Sequence, residues 1–171
     1  MEAAETTEVR LGHGERGMQE LAGKYLTFSL GHEDYGVGIL KVREIIGVME
    51  ITAVPHTPSY IKGVINLRGR VIPVLDLRLK FDMPAKEYDE RTCVIVVEVQ
   101  GGNGAIQVGM VVDSVSEVLN IGAAEIEPPP SLGASSDGDN ILGMAKVKGE
   151  VKILLDIDRV VGDGVLKQFE A

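Results

Sequence analysis

The stretch from Ile61 to Arg78, IKGVINLRGRVIPVLDLR, decides the fold because the chain carries a second copy of its pattern. Residues 141 to 158, ILGMAKVKGEVKILLDID, align with it over 18 positions without a gap. Six of these positions are identical, including the central glycines Gly69 and Gly149. Short runs of Val, Ile and Leu flank each glycine, a pattern that is typical of a β-hairpin.

A second pair of segments shows that more than a hairpin is repeated. YGVGILKVREI, from Tyr35, matches VGMVVDSVSEV, from Val108, and the two matches follow the same order in each half. This predicts an internal duplication of a unit of roughly 65 to 70 residues. Each unit offers about five short strands, enough for one small closed barrel. We therefore predict an all-β fold with short helices and two barrel units.

The predicted boundaries follow from the same alignment and from composition. Residues 1–21 are expected to be a polar flexible tail, 22–164 the folded domain, and 165–171 a C-terminal tail. Within the domain, the first barrel unit covers about 24–82 and the second about 91–161. The pattern leaves open whether strands are exchanged between the two barrels.

The hairpin turn explains the repeated glycine but not its neighbours. Gly69 and Gly149 fall where a positive φ is needed, and only glycine adopts that angle without strain. The first copy places Arg68 and Arg70 beside its glycine, whereas the second copy has Lys148 and Glu150. Pro73 cannot donate a hydrogen bond to a neighbouring strand, so we expect its strand to lie at an edge or to bulge there.

Charge and hydropathy exclude several classes of protein. The chain has 17 Lys and Arg against 26 Asp and Glu, a net charge of −9, which argues against binding to nucleic acid or to anionic lipid. No segment approaches the roughly 20 apolar residues of a membrane helix, and the N-terminus has no apolar run of signal-peptide length. We expect a cytoplasmic protein with no direct membrane insertion. The single cysteine, Cys93, is expected to be a buried strand residue.

Residues that commonly carry catalysis do not converge in the sequence. His13, His32 and His56 are expected in a tail, a turn and a proline loop, none with a second ligand at metal-binding spacing. Asp76 and Asp113 are expected at the ends of elements, where they are solvated or cap a helix. We therefore predict no enzyme activity, no metal or cofactor, and no small-molecule substrate.

The chain resembles the CheW family of chemotaxis coupling proteins over about residues 22 to 164. The likeness rests on residues 42 to 81, VREIIGVMEITAVPHTPSYIKGVINLRGRVIPVLDLRLKF, and on the later GMVVDSVSEVL and ILGMAKVKGEVKILLDIDRV. The resemblance implies two SH3-like five-stranded barrels packed together. It also implies a non-enzymatic adaptor that links transmembrane chemoreceptors (methyl-accepting proteins) to the regulatory domain of the histidine kinase CheA. A related non-motility kinase pathway, or other partners of a small-barrel interaction module, remains an alternative.

By position, the resemblance implies that a groove between the barrels holds the cytoplasmic hairpin tip of the receptor. The residues on this receptor side would be Val42, Glu44, Ile45, Lys62 and Arg68. An acidic and a basic group beside apolar residues could grip an amphipathic helix. In the alternative interpretation, Arg68 is only a solvated residue of the turn, and Val42 and Ile45 belong to the core. Kinase contact is expected on an exposed apolar surface of the second barrel, around Val111, Ala145 and Val147.

Overall fold

The computed structural model describes residues 21–101, 104–129 and 140–162 and shows a chain built mainly of short strands. The helical segments of more than one residue within these ranges are the single turn α1, Leu77–Lys80, the 3-10 turns Ile39–Lys41 and Ala123–Glu125, and residues 157–162. The strands are β1 Gly23–Leu30, β2 Glu33–Gly38, β3 Val42–Gly47, β4 Ile61–Leu67, β5 Arg70–Asp76, β6 Cys93–Gly101, β7 Gly104–Val112, β8 Ser114–Ile121, β9 Ile126–Glu127, β10 Ile141–Val147 and β11 Glu150–Leu155. The predicted all-β class with short helices is confirmed.

The strands form two sheets, and each sheet mixes strands from both halves of the sequence. Barrel 1 has the order β3-β6-β7-β5-β4, and barrel 2 has the order β8-β1-β2-β11-β10-β9. In barrel 1, Val74 of β5 pairs in parallel with Gly109 of β7. In barrel 2, Leu154 of β11 pairs in parallel with Gly36 of β2. These are equivalent positions of the duplication, so the two halves exchange the same hairpin reciprocally.

Both barrels close in the same way. In each, the segment that follows the first strand of the sheet order pairs with the first strand of the exchanged hairpin. After β3, Thr52 exchanges two backbone hydrogen bonds of 2.8 Å with Val64 of β4. After β8, the short strand β9 pairs with β10, placing Glu127 opposite Met144. Val64 and Met144 occupy the same position of the repeat, so the closure is duplicated with the strands.

Within the described residues, three apolar clusters hold the fold together. One lies inside barrel 1 and includes Ile65, Ile72 and Val94; another lies inside barrel 2 and includes Ala145 and Leu154. The largest lies between the barrels and draws on both of them. Burial of apolar area is the dominant favourable term in folding, and here it also fixes the two barrels against each other.

Pro73 opens a gap in barrel 1. Because Val64, opposite it, directs its backbone groups to Thr52, the backbone of Pro73 faces β7 and not β4. Proline has no N–H to donate, and the β5–β7 ladder begins only at Val74. In barrel 2 the equivalent ladder begins two positions earlier, at Lys152. Of the two predicted alternatives, the edge strand is wrong, since β5 is interior, and the register shift of the hairpin lies between Ile61 and Gly63 and not at Pro73. The first four residues of β5 border β7 across a cleft of about 350 Å³.

Candidate functional site

Two of the residues predicted on the receptor side, Arg68 and Glu44, meet at the surface of barrel 1. Arg68 Nη1 donates to Glu44 Oε2 at 3.0 Å, and Nη2 donates to Oε1 of the same carboxylate. The hydrogen bonds from Arg68 hold the pKa of Glu44 below its usual range and raise the pKa of the guanidinium. The Arg68 side chain is 69% exposed, and that of Glu44 is 26% exposed. The pair is therefore accessible to a partner on the Arg68 side.

The hairpin turn between β4 and β5 presents this arginine. Gly69 has φ +87° and Gly149 has φ +81°, so the predicted positive angles are confirmed. Arg68 and Lys148 also have positive φ, 53° in each case, which gives both turns the type I′ pattern. The Asn66 carboxamide oxygen accepts a hydrogen bond of 2.8 Å from the Gly69 N–H and fixes the turn. Arg68 therefore holds a backbone angle that non-glycine residues rarely adopt.

Apolar side chains are exposed near the ion pair. Ile45, next to Glu44 in β3, is 44% exposed, and Val71, three residues after Arg68, is 70% exposed. Val42 is only half-buried and packs against the cluster between the barrels. The interpretation that Ile45 belongs to the core is therefore wrong, whereas Val42 does contribute to it.

Lys62 lies away from the other predicted receptor residues. It is near the start of β4, six residues before Arg68, which corresponds to about 20 Å along a strand. Its ammonium lies 5.9 Å from the centre of the Tyr88 ring. The structure does not bring Lys62 into the Arg68–Glu44 surface.

The expected exposure of the kinase-side residues is wrong at two of three positions. Val111 is 3% exposed and packs inside barrel 1, and Ala145 is fully buried inside barrel 2. Val147 is half-buried and packs against the cluster inside barrel 2. A side chain in the interior of a barrel cannot form a contact surface without unfolding that barrel.

Among the described residues, the exposed large apolar side chains of barrel 2 are Val118 and Val151. In the duplication, Val118 corresponds to Ile45 and Val151 corresponds to Val71. Once the exposed residues of one barrel were known, the sequence repeat could thus have identified those of the other barrel. The charges have diverged, since Arg43 and Arg70 of barrel 1 correspond to Ser116 and Glu150. The two barrels therefore present the same apolar positions in different electrostatic settings.

A second polar cluster, which the sequence did not reveal, joins α1 to the connection between β7 and β8. Arg78 Nε and Nη2 donate to the two oxygens of Asp113 at 2.7 and 2.8 Å. The Gly31 N–H donates to the same carboxylate at 2.8 Å. Burial alone would raise the pKa of Asp113, but the hydrogen bonds from Arg78 and Gly31 bring it below its usual value. Asp113 is thus not the solvated or capping residue that was expected.

Asp76 caps α1, as predicted. One of its oxygens accepts from the backbone N–H groups of Arg78 and Leu79, and the other accepts a hydrogen bond of 2.8 Å from the Tyr88 hydroxyl. Burial, together with this hydrogen bond, raises the pKa of Tyr88 well above its usual value. The cap and the Arg78–Asp113 pair are two neighbouring parts of one network.

The described ranges contain no group of three or more His, Cys, Asp or Glu side chains placed to hold a metal ion. His32 and His56 lie in loops, and His13 lies outside the described residues, as do residues 1–20 and 165–171 of the two predicted tails. Cys93 is half-buried at the start of β6, so it is less enclosed than predicted. No helix within residues 21–101, 104–129 and 140–162 is long and apolar enough to cross a membrane.

Comparison with known proteins identifies relatives over most of the chain. The chain is 40% identical over 149 residues to the chemotaxis protein CheW of Klebsiella aerogenes, covering 84% of this chain and 87% of that protein. It is 34% identical over 135 residues to the chemotaxis protein CheW of Bacillus subtilis, covering 79% and 83%. It is also 33% identical to the protein FrzA of Myxococcus xanthus over 126 residues, covering 74% and 76%.

The fold agrees with a solved structure. The scaffolding protein TtCheW from Thermoanaerobacter tengcongensis superimposes with a TM-score of 0.75 at 33% identity, covering 85% of this chain and 99% of that one. The family model of the CheW-like domain matches residues 24–164. The chain therefore belongs to the CheW-like domain family of chemotaxis scaffold and adaptor proteins.

Proposed function

We propose that this chain is a non-catalytic adaptor that couples transmembrane chemoreceptors to the histidine kinase CheA in cytoplasmic signalling arrays. Its relatives named chemotaxis protein CheW, and the scaffolding protein TtCheW, support this role. The observation that carries the receptor side is the exposed ion pair of Arg68 and Glu44 beside Ile45.

This pair is better suited to binding than to stability. A surface ion pair contributes little to folding, because water screens it and two long side chains must be ordered. A guanidinium has five N–H donors, and the bidentate pair with Glu44 leaves others for a partner. Glu44 thus orients an arginine that can still donate outward.

The receptor segment that fits this surface is an amphipathic helix. Ile45 and Val71 offer apolar contact, while Arg68 and Glu44 provide one charge of each sign. Val42 contributes from behind, by packing against the core beneath β3. Lys62 stands outside this surface, and its assignment to the receptor rests on the family resemblance.

The kinase side of the proposal lies on barrel 2. Val118 and Val151 are large apolar residues exposed on this barrel, and the half-buried Val147 lies in the neighbouring strand β10. Interfaces are enriched in apolar residues at their centre and have a polar rim. Glu150, beside the turn, would supply part of such a rim.

One reconstitution tests the proposal. The full chain is mixed with CheA and a receptor fragment that contains the hairpin tip, and autophosphorylation of CheA is followed. An adaptor increases the receptor-dependent kinase rate, and the increase is lost with Arg68→Glu but retained with Lys148→Glu. The proposal fails if the kinase rate is the same with and without this chain. Stable transfer of phosphate to this chain would likewise identify a relay protein.

A further inference from the structure

A polar cleft of about 410 Å³ lies apart from the Arg68–Glu44 surface, where the turn after β1, the loop before β6 and the start of β8 meet. We propose that this cleft binds a phosphate-type oxyanion. The proposal is independent of the adaptor function. It rests on the charges that line the cleft and on which of them are already engaged.

The cleft is more basic than the chain as a whole. Among the residues that the structure describes, Arg78, Lys86 and Arg91 line it together with two carboxylates, Asp89 and Asp113, in a chain whose net charge is −9. A cleft lined by an excess of one sign of charge concentrates ions of the opposite sign. An anion is therefore the class of ligand that this cleft favours.

Both carboxylates are occupied by neighbouring donors. Asp113 accepts from two guanidinium nitrogens of Arg78 and from the Gly31 N–H. Asp89 accepts from Lys86 Nζ at 3.2 Å and from the Arg91 backbone N–H at 2.8 Å. Arg78 and Lys86 thus balance the two carboxylates, and Arg91 remains as the cation that can attract a ligand.

The unengaged donors come from separate segments. Among the residues that the structure describes, the Arg91 guanidinium forms no ion pair, and Lys86 uses one ammonium N–H on Asp89. His32 lines the cleft from the turn after β1, and Ser114 lines it from the start of β8. Donors that converge from three segments suit a tetrahedral group, whose oxygens point in several directions, better than a planar carboxylate. The Arg91 fork can bind two phosphate oxygens at once.

The test is a titration of the ¹⁵N-labelled full chain with sodium phosphate, at fixed pH and ionic strength, followed by NMR. We expect saturable shifts of the amides of Gly31, His32, Arg91 and Ser114. Arg91→Ala should weaken binding by about tenfold, because a hydrogen-bonded charge is lost. The phosphate affinity of Arg91→Lys should lie between those of the wild-type chain and Arg91→Ala, since lysine keeps the charge but lacks the fork of N–H donors.

Lys24→Ala is the matched control. It removes one exposed cation from β1 about 17 Å along the strand from Ser29, so the net charge changes equally at a distance from the cleft. Equal weakening by Lys24→Ala and Arg91→Ala would reduce the effect to general electrostatics and overturn the proposal. Non-saturable shifts would show an adventitious ion only, with the same consequence. If Arg91→Ala does not fold, by circular dichroism, Arg91→Lys carries the comparison.

Two further ligands test which chemical group the cleft recognises. Glutarate binding as tightly as phosphate would contradict a tetrahedral site. O-phosphoserine binding more tightly than phosphate would support the proposal and indicate a phosphoryl group carried on a larger molecule, whereas the reverse order would indicate free phosphate. Binding of Arg91→Ala to the receptor-tip fragment should be unchanged, so failure here and failure of the adaptor function can be told apart.

Discussion

Arg68 and Glu44 lie 24 residues apart in sequence, yet a bidentate ion pair joins them across the closure of barrel 1. Glu44 belongs to β3 and Arg68 to the β4–β5 turn, and β3 and β4 are the two outer strands in the sheet order. The pair therefore stands beside the seam where the barrel closes. The same two positions in barrel 2 are Glu117 and Lys148, and no ion pair joins them in the part of the chain that the structure describes. The duplication kept the positions but only barrel 1 has the contact.

Reversal of the arginine charge should affect binding more than folding. Arg68→Glu places two carboxylates together at an exposed site, but the backbone angle is equally strained for both residues, so thermal unfolding should change little. Receptor-tip binding should weaken by at least tenfold, because a charged contact at an interface is reversed. Calorimetry against the receptor fragment measures this, with Lys148→Glu as the control. Equal loss in both variants would indicate nonspecific electrostatics.

An exchange of the two charges separates orientation from contact. The double variant Glu44→Arg, Arg68→Glu can form the pair again with its direction reversed. If Arg68 itself donates to the receptor, as proposed, the double variant should fold like the wild-type chain but bind as weakly as Arg68→Glu. Full recovery of binding would show instead that only the intact pair matters, through its effect on the barrel seam.

The turn of barrel 2 should be improved by a residue that accepts its backbone angle. Lys148 has φ +53° at the first central position of a type I′ turn, where asparagine is favoured. Lys148→Asn should therefore raise the free energy of unfolding by about 0.5–1 kcal/mol. Lys148→Ala removes the same charge without relieving the angle, and it should give no gain. Urea unfolding of the two variants distinguishes backbone strain from the loss of a lysine.

The duplication predicted the hairpins and the glycine angles because both depend on local sequence. It could not decide which sheet each hairpin joins, since the register between Gly36 and Leu154 is set by packing over long sequence separations. The sequence also failed to predict the burial of Val111, which lies in a strand with a continuous apolar run and burial on both faces. Such a strand has no alternating pattern from which an outward face can be read. The Arg68–Glu44 contact likewise required the closed barrel.

The pair of Arg78 and Asp113 should be important for stability. Both side chains are largely buried, at 15% and 16% exposure, so Arg78→Ala leaves a carboxylate without its main partner. We expect a loss of about 2–4 kcal/mol, measured by urea unfolding at neutral pH. The surface pair of Lys86 and Asp89 provides the comparison, since an exposed pair contributes little. A loss no larger than that of Lys86→Ala would show that solvent replaces the arginine.

The Asp113 carboxylate should also make the stability of the folded state sensitive to acid. The folded pKa of Asp113 is lower than its usual value, so its ionised form stabilises the folded state above the unfolded pKa of about 3.9. This contribution should be complete above about pH 5 and should decline as the pH falls through the lower folded pKa. Asp113→Asn should flatten this part of the stability profile. An unchanged slope below pH 5 would assign the acid sensitivity to other groups.

The final prediction concerns Pro73 and the gap that it leaves between β5 and β7. In barrel 2 the equivalent residue, Ile153, pairs with Tyr35, and the parallel ladder there includes Lys152. Pro73→Ile supplies the missing N–H on the side that faces β7, so the ladder should extend towards Gln107 and narrow the cleft. Hydrogen exchange should then show a protected amide at residue 73, together with slower exchange at the neighbouring positions of β7. The reverse change, Ile153→Pro, is the matched control, and it should shorten the ladder of barrel 2 and speed exchange near Tyr35. Rapid exchange at position 73 in the Pro73→Ile variant would show that side-chain packing around Val71 and Ile106, and not the missing donor, keeps the two strands apart.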